Sequence, residues 1–349
     1  RIDGVMQNMT TLWAADGKSS ISALKVLSDM DIAERRRPQD GTFAVLFDSH
    51  KFDIRAASGP TNFGEKMALR LLDSDGEIVK NGLEGIGMSD SVTKKMRQII
   101  QQPHGMMLVC GPTGSGKTTT LYTALGELDV FSKNIVTIED PIEYRLENIS
   151  QTAVNVAADL TFANILRSTL RQDPDVILIG EIRDKETAEI AMQAALTGHF
   201  VFSTLHANDS ATTITRLLDI GIDTTLIQSS LSAVLAQRLV RVLCKRCKES
   251  YTPPDDFLQK LGVPAGKTIP LFKEVGCTSC LESGYRGRTG IHELLTFDNS
   301  IRDLLVGRPS IQDIRRAGRK SGMKTLKQSG IQKVLAGITS LNEVMRVAK

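Results

Sequence analysis

The sequence lacks both a long apolar run and a strong excess of charge of either sign. No uninterrupted apolar stretch in its 349 residues approaches the roughly 18 residues that can span a bilayer. The net charge is only +3, so the composition does not require nucleic acid or an anionic membrane as a partner. The sequence contains no internal repeats or low-complexity tracts, and we expect no signal peptide. Because the first residue is Arg1 and not Met, we expect a further segment upstream in the full protein.

Cysteine is scarce, and four of the five cysteines form two C-x-x-C pairs. Cys244 and Cys247 make the first pair, Cys277 and Cys280 the second, and Cys110 stands apart. One such pair could be redox-active or accidental. Two pairs joined by a 29-residue loop instead predict a structural zinc site with four thiolate ligands. An accidental or degenerate site is the alternative.

A P-loop is the most informative motif that is present. The apolar run at 106–110 is followed by Gly-Pro-Thr-Gly-Ser-Gly-Lys-Thr and then by a helix-forming segment, which is the strand–loop–helix context that the motif requires. Glycines let backbone N–H groups approach phosphate oxygens, and the helix adds the positive end of its dipole. Lys117 can reach the β- and γ-phosphates, while the Thr118 hydroxyl can ligate Mg²⁺. The residues predicted to bind nucleotide here are Gly111, Pro112, Thr113, Gly114, Ser115, Gly116, Lys117, Thr118 and Thr119.

Changes in composition along the chain predict five segments. A stretch rich in Gly and Asp separates a small α+β unit from a region where strands and helices alternate. Alternation of this kind predicts a mainly parallel sheet covered on both faces. The segments are an α+β N-terminal domain (1–75), a linker (76–88), a P-loop core (89–243), a cysteine insert (244–297) and a helical C-terminal subdomain (298–349).

Periodicity predicts several individual elements. Residues 19–30 carry apolar side chains at helical spacing, and 42–48, 52–56 and 67–71 have the pattern of strands, with Arg70 on the face opposite Met67. In the core, the fully apolar run at 176–179 predicts a central strand, whereas residues 224–236 are predicted to form one helix.

Three further blocks accompany the P-loop. They are Ile-Glu-Asp-Pro-Ile-Glu at 138–143, Ile-Gly-Glu-Ile-Arg-Asp at 179–184, and Thr-Gly-His-Phe-Val-Phe-Ser-Thr-Leu-His-Ala-Asn at 197–208. In this order the blocks resemble the Walker A, Asp box, Walker B and His box of the type II secretion and type IV pilus assembly ATPases. Segments 37–41, 60–66 and 287–293 resemble other parts of that family, so the similarity covers nearly the whole chain. It implies a RecA-like P-loop core with a smaller PAS-like α+β N-terminal domain, and the tetracysteine insert resembles that of assembly ATPases.

The resemblance also implies roles for the carboxylates of these blocks. Glu181 would be the Walker B carboxylate that holds Mg²⁺ directly or through water, and Glu143 would polarise the attacking water. Glu139 and Asp140 would shape the site and support the metal. The alternative for any one of them is a solvated surface carboxylate, although a position just beyond an apolar parallel strand favours a functional role.

Basic residues complete the predicted site. By the resemblance, His206 senses the γ-phosphate, and His199 either contributes to the nucleotide site, couples subunits or supports the fold. Arg55 and Arg70 would neutralise phosphate charge when the N-terminal domain closes on the nucleotide; exposed salt-bridging arginines are the alternative. Arg167 and Arg171 share a helix face, which predicts either a contact with a neighbouring subunit or an ion pair with Asp173 or Asp175.

Together these features predict a cytoplasmic ATPase at the inner membrane. The resemblance implies a homohexamer that uses ATP, Mg²⁺ and structural Zn²⁺ and drives pseudopilus assembly through an inner-membrane platform protein and a cytoplasmic adaptor. A type IV pilus extension motor of the same family is the first alternative. A DNA-translocating motor is disfavoured by the near-neutral charge and the lack of a basic aromatic stripe, so no nucleic-acid partner is expected. A nucleotide-sensing adaptor that does not hydrolyse ATP is the third alternative.

Overall fold

The computed structural model describes residues 1–48, 50–73, 81–307 and 309–348. The chain divides into two compact units. The first contains residues 1–77 together with 142–147, and the second contains residues 78–141 together with 148–349.

Among the described residues, the first unit contains a three-stranded antiparallel sheet and one helix. Its elements are α1 (Ala14–Leu27), β1 (Gln39–Phe47), β2 (His50–Thr61) and β3 (Gly64–Asp73), with the strands in the order β1-β2-β3. Side chains alternate along β2, so that Ile54 and Ala56 are buried while Arg55 lies on the other face. The α+β prediction is confirmed, although the helix begins and ends earlier than the interval 19–30.

A buried ion pair attaches α1 to this sheet. The side chain of Lys25 is 1% exposed and pairs with Glu65 at the start of β3. Its ammonium also donates a hydrogen bond of 2.7 Å to the backbone oxygen of Glu34. A lysine side chain this deeply buried needs such partners to offset the cost of its desolvation.

The second unit contains a seven-stranded sheet with helices on both faces. Its elements before the cysteine segment are α2 (Gly82–Gly85), α3 (Asp90–Ile100), β4 (Gly105–Cys110), α4 (Lys117–Gly126), β5 (Ile135–Glu139), β6 (Ser150–Ala153), α5 (Phe162–Thr169), β7 (Val176–Ile179), α6 (Lys185–Leu196), β8 (Phe200–Leu205), α7 (Ser210–Asp219), α8 (Thr224–Ser230) and β9 (Leu231–Leu243). The later elements are β10 (Glu249–Tyr251), α9 (Asp255–Lys260), β11 (Leu271–Lys273), β12 (Tyr285–Thr296), α10 (Asn299–Leu305), α11 (Ile311–Lys320), α12 (Leu326–Leu335) and α13 (Leu341–Val347).

The strand order places the ends of four predicted strands at one edge. The order is β12-β9-β4-β8-β7-β5-β6, and every neighbouring pair is parallel except β12 with β9. Every residue of β4, β5, β7 and β8 is buried, as expected for parallel strands covered on both faces. The prediction of a central strand at 176–179 is confirmed. Because these strands run in one direction, the loops that follow them share the carboxyl edge of the sheet.

Two elements differ from the sequence-based expectation. The predicted helix over 224–236 is wrong in its second half, because α8 ends at Ser230 and β9 begins at Leu231. The apolar residues of β9 are buried between β4 and β12, so a strand satisfies the same pattern. In addition, residues 285–296, at the end of the predicted cysteine insert, form the outer strand β12 of the large sheet.

The predicted linker lies partly outside the described residues. Within the part that the structure describes, Leu83 of α2 is fully buried, and Arg97 of α3 forms ion pairs with Glu84 and Glu127. Residues 81–88 therefore pack within the second unit.

The end of the chain is helical, as predicted for 298–349, in the form of α10 to α13. Two charged groups attach this region to the sheet: Glu343 of α13 binds Arg241 of β9, and Glu293 of β12 accepts a hydrogen bond from the backbone N–H of Leu326. Within the described part of the chain, no helix combines the length and the apolar content needed to span a membrane.

Candidate nucleotide site and metal centre

The P-loop joins the carboxyl end of β4 to the first turn of α4. Gly116 precedes the helix with a φ of +87°, in the left-handed region that costs a residue with a Cβ about 1–2 kcal/mol. Lys117 begins the helix, and its ammonium donates to the backbone oxygen of Gly111 at 3.0 Å. Thr118 and Thr119 occupy the same first turn and are half-buried. The loop therefore places the lysine and the free N–H groups of a helix start together, which is the arrangement that binds phosphate.

Gln237 of β9 lies against the P-loop at both ends. A Cβ at Gly111 would come within 2.7 Å of the backbone oxygen of Gln237, and one at Gly116 within 2.8 Å of its Nε2. The same amide donates to the backbone oxygen of Ser115 at 2.8 Å and accepts from the Thr120 hydroxyl at 2.6 Å. Glycine is required at 111 and 116 because the neighbouring strand leaves no room for a side chain.

A charged cluster lies at the same edge, after β7. Glu181 is hydrogen-bonded by the Nε of Arg183 at 2.6 Å, and its other oxygen lies 3.4 Å from Nε2 of His206, just past β8. A second nitrogen of Arg183 lies 3.3 Å from Asp140 after β5. Hydrogen bonding to Glu181 raises the pKa of Arg183. The fold thus brings together residues from all three blocks after the P-loop. They are Asp140 from the first block, Glu181 and Arg183 from the second, and His206 from the third.

Glu139 differs from the other carboxylates because it is buried. It is 3% exposed and accepts hydrogen bonds from Tyr122, from Thr137 at 2.5 Å and from Gln151 at 3.2 Å. Three donors satisfy most of the acceptor capacity of a carboxylate. Glu139, the last residue of β5, is therefore hydrogen-bonded to Tyr122 of the P-loop helix α4 and to Gln151 of β6.

His199 lies at the opposite edge of the sheet from His206. It precedes β8, and its Nδ1 lies 3.0 Å from the backbone oxygen of Ala194 in the last turn of α6. The P-loop follows the other end of the neighbouring strand, because β4 and β8 are parallel. The structure does not bring His199 to the P-loop edge.

The remaining predicted residues lie in the first unit. Glu143 belongs to segment 142–147. Arg55 and Arg70 are directly opposite each other on β2 and β3, where two like charges repel, and Arg55 donates to the backbone oxygen of Ile142 at 3.0 Å. Their predicted roles at the nucleotide remain predictions.

Arg167 of α5 and Arg171, just after this helix, have other partners than those expected. Arg167 binds Glu186 of α6 at 2.5 Å, and Arg171 donates to the backbone oxygen of Arg167 at 2.8 Å. Asp175 instead accepts from the backbone N–H of Asn134. The ion pair expected for Arg167 is therefore present, but with a different acid.

Sequence analysis missed three polar residues at this edge: Gln237, Arg238 and Arg183. The first two follow the apolar run 231–236, and a polar pair directly after a buried strand would have indicated the site. The mistaken helix over 224–236, directly before these two residues, concealed that signal. Arg183 was part of the block at 179–184 but was assigned no role.

The four paired cysteines form one compact cluster. All their sulfur atoms lie within 4.8 Å of one another, and three of the distances are 3.7, 3.8 and 4.0 Å. Four thiolates at 2.3 Å from a tetrahedral zinc ion would be about 3.8 Å apart. The backbone N–H groups of Cys277 and Gly284 donate to the sulfur of Cys280 at 3.2 and 3.3 Å, which orients that ligand. The residues present fit a structural zinc ion.

Cys110 has no part in this cluster. It is fully buried in β4, and burial raises the pKa of its thiol to about 12. A thiol in this state is unreactive.

Comparison with known protein families assigns the whole chain to one of them. Residues 1–346 match the family model described as "Type II/IV secretion system protein". The chain belongs to the type II/IV secretion system protein family. The resemblance inferred from the four nucleotide-binding blocks is confirmed.

Curated relatives from this family match over the full chain. The type II secretion system protein E of Dickeya dadantii (strain 3937) is 48% identical over 350 residues, which cover 100% of this chain and 69% of the relative. The type II secretion system ATPase E of Vibrio cholerae serotype O1 is 45% identical, again over 100% of this chain and 69% of the relative. The type IV pilus assembly ATPase PilB of Thermus thermophilus is 44% identical over 99% of this chain, which corresponds to 39% of PilB.

Two solved structures share the fold. The pilus retraction motor PilT with bound ADP aligns with 89% of this chain and 78% of PilT at a TM-score of 0.64 and 28% identity. The Legionella pneumophila ATPase DotB aligns with 99% of this chain and 86% of DotB at a TM-score of 0.69 and 20% identity. These neighbours confirm the prediction of a RecA-like α/β core.

Proposed function

We propose that this chain is the ATP-hydrolysing motor of a type II secretion system. The observation that carries the proposal is that the P-loop with Lys117 and the cluster of Glu181, Arg183 and His206 follow parallel strands at the same carboxyl edge of the sheet. Hydrolysis of ATP needs charge neutralised on the γ-phosphate and a water in line with it. A protein that only binds nucleotide has no need of the second group of residues.

Each residue at this edge has a proposed task. Backbone N–H groups of the P-loop would bind the β- and γ-phosphates, and Lys117 would neutralise their charge. Thr118 and Glu181 would hold Mg²⁺, which would add positive charge at the phosphates. His206, which lies 3.4 Å from Glu181, contacts the γ-phosphate. Glu143 orients the attacking water, and Asp140 holds Arg183 in place.

We further propose that the first unit supplies positive charge to the phosphates during turnover. Arg55 and Arg70 form an adjacent like-charged pair on the sheet, which is unfavourable by itself. An anion between them would remove the repulsion. An arginine supplied in this way can contribute a factor of about 10³–10⁵ in rate.

The metal centre is proposed to hold one structural Zn²⁺ through Cys244, Cys247, Cys277 and Cys280. The cluster fastens the start of the cysteine segment to the residues before β12. Zinc would stabilise a segment whose own strands, β10 and β11, have only three residues each.

The assembly and its location are extended from the relatives. We infer a homohexamer at the cytoplasmic face of the inner membrane that acts on a platform protein through a cytoplasmic adaptor. The identity of 48% with a type II secretion system protein E favours that system. The 44% identity with PilB favours type IV pilus extension as the second candidate.

Phosphate release by the purified chain tests the proposal. We expect Mg²⁺-dependent hydrolysis of ATP that Lys117→Ala abolishes and Glu181→Gln reduces by about 10²-fold or more while nucleotide still binds. Arg55→Ala and Arg70→Ala should lower kcat, whereas Arg36→Ala should not, since Arg36 is 91% exposed in the same unit. Nucleotide binding without turnover, in the presence of Mg²⁺ and the secretion machinery, would favour the adaptor alternative.

A further inference from the structure

Two consecutive residues of β9 contact two different loops of the nucleotide site. Gln237 and Arg238 come directly after the buried residues that pair with β4, at the point where Ala236 lies opposite Cys110. Neither residue carries a role in the mechanism proposed above. Their side chains nevertheless connect the P-loop with the loop that bears His206.

Gln237 makes the connection to the P-loop. It is 2% exposed, and both ends of its side-chain amide are used, by the Ser115 backbone oxygen and the Thr120 hydroxyl. Its own backbone oxygen lies against Gly111. A change in the position of Gln237 would therefore shift the backbone at both ends of the P-loop.

Arg238 makes the second connection. Its Nη1 donates to the backbone oxygen of Gln237 at 2.9 Å, and its Nη2 donates to that of Asn208 at 2.7 Å. Thus one guanidinium bridges a carbonyl beside the P-loop and a carbonyl in the loop after β8. Within the described residues, no carboxylate forms an ion pair with this guanidinium, although Arg238 is half-buried and burial lowers its pKa.

The loop that Arg238 holds is short and has one functional side chain. It runs from His206, just after β8, to Asn208, and the next residue, Asp209, caps α7 and binds Arg315. Asp209 fixes the start of α7, and the contact at Asn208 extends this support to the last residue of the loop. His206 is two residues from that contact and 3.4 Å from Glu181.

We propose that Arg238 is a positioning residue that sets the place of His206 relative to the P-loop. The inference rests on the proposed hydrolysis of ATP. Arg238 reaches neither Glu181 nor the P-loop lysine directly, so it acts through the backbone at Asn208. Lysine cannot replace it, because a single ammonium lacks the planar pair of donors that bridges two carbonyls.

The first test separates turnover from nucleotide binding. For Arg238→Lys we expect kcat to fall about tenfold or more, because small misplacements of a positioned group cost that much, with KM for ATP changed by less than about twofold. For Gln237→Glu we expect the opposite pattern, a raised KM, because its second carboxylate oxygen would repel the Ser115 carbonyl. Arg241→Lys is the matched control on the same strand; its partner is Glu343, so it should lower stability and leave kcat unchanged.

A double-mutant cycle with His206 decides whether Arg238 acts through it. If it does, Arg238→Lys should change the single-turnover rate of a His206→Ala protein by less than about twofold. Full, additive losses would overturn the inference while leaving ATP hydrolysis by the wild type intact. An unchanged kcat in Arg238→Lys, or in His206→Ala itself, would also overturn it. Absence of turnover in the wild type would overturn both this inference and the proposed function.

Discussion

Replacing Glu343 of α13 should release the C-terminal helices from the sheet. Glu343 is 1% exposed and is bound by Arg241 of β9, through its backbone N–H at 3.0 Å and its guanidinium at 2.8 Å. Arg346 adds two bonds of 2.7 and 2.8 Å. Burial alone would raise the pKa of Glu343, but the hydrogen bonds from Arg346 and Arg241 outweigh it and lower the pKa to about 2.

The size of the effect follows from this pKa. The ordinary value is 4.5, and a difference of about 2.5 in pKa corresponds to about 3 kcal/mol. Since the pKa is lower in the folded state, this stabilisation is fully present above pH about 4.5 and is lost as the pH falls toward about 2. At pH 3.5 about 2 kcal/mol should remain. Glu343→Gln keeps the shape but loses the charge, so it should cost these amounts.

Hydrogen exchange of the backbone amides in Leu341–Val347 measures this loss directly. The single tryptophan, Trp13, lies in the first unit, so its fluorescence does not report on α13. We expect protection in α13 to fall about 10²-fold at neutral pH in Glu343→Gln, and by less at pH 3.5. Glu189→Gln is the matched control, because that glutamate is 42% exposed and pairs with Lys185 at the surface, where an ion pair contributes about 0–1 kcal/mol. An equal loss at both pH values would refute the assignment of the low pKa to Glu343.

Three further predictions concern the nucleotide site and the metal centre. Gly116→Ala should weaken ATP binding more than Gly114→Ala in a fluorescent-nucleotide titration, because both glycines have positive φ but only a Cβ at Gly116 meets Gln237; equal losses would contradict the close approach. Glu139→Gln should lower the free energy of unfolding of the second unit by about 1–3 kcal/mol, since an amide NH₂ would face one of its hydrogen-bond donors; an unchanged denaturant midpoint would show that Glu139 is not held as described. The purified protein should release one Zn²⁺ per chain on thiol modification, and Cys247→Ser should release less and melt at lower temperature; no bound metal in the wild type would refute the zinc site.

The parts of the fold that sequence predicts well are those with one dominant local signal. Val176–Ile179 is apolar at every position and is buried between β5 and β8, and the P-loop has the same strand–loop–helix context in the structure. By contrast, the run Leu-Ser-Ala-Val-Leu-Ala at 231–236 is compatible with a buried helix or a buried strand. This run forms a strand because it pairs with β4 and β12, and its partners in β12 are about fifty positions away in the sequence.

Single residues of the candidate site are likewise predictable only where the local sequence carries a clear signal. The placement of Glu181 beside His206 could be predicted, because each follows an apolar strand at the carboxyl edge of the sheet. The burial of Glu139 could not be predicted, because it depends on a hydrogen bond from Tyr122 of α4. The sequence at a strand end does not indicate on which side of the sheet a carboxylate will lie. The bridging role of Arg238 depends on two backbone oxygens, which have no signature in side-chain patterns.

β9 runs from the candidate nucleotide site to the candidate metal centre, and its length keeps the two sites apart. The strand has 13 residues; Gln237 contacts the P-loop, Arg241 binds Glu343, and Cys244 follows the last residue. Cys244 is seven residue steps along the chain from Gln237, about 23 Å at 3.3 Å per residue. The intervening residues Val240 and Leu243 are buried in the sheet. The backbone N–H of Leu243 donates to the backbone oxygen of Ile338, between α12 and α13, at 2.8 Å. Loss of zinc should therefore first loosen the end of β9 and this turn. Removal of zinc should therefore lower stability well before it alters the KM for ATP.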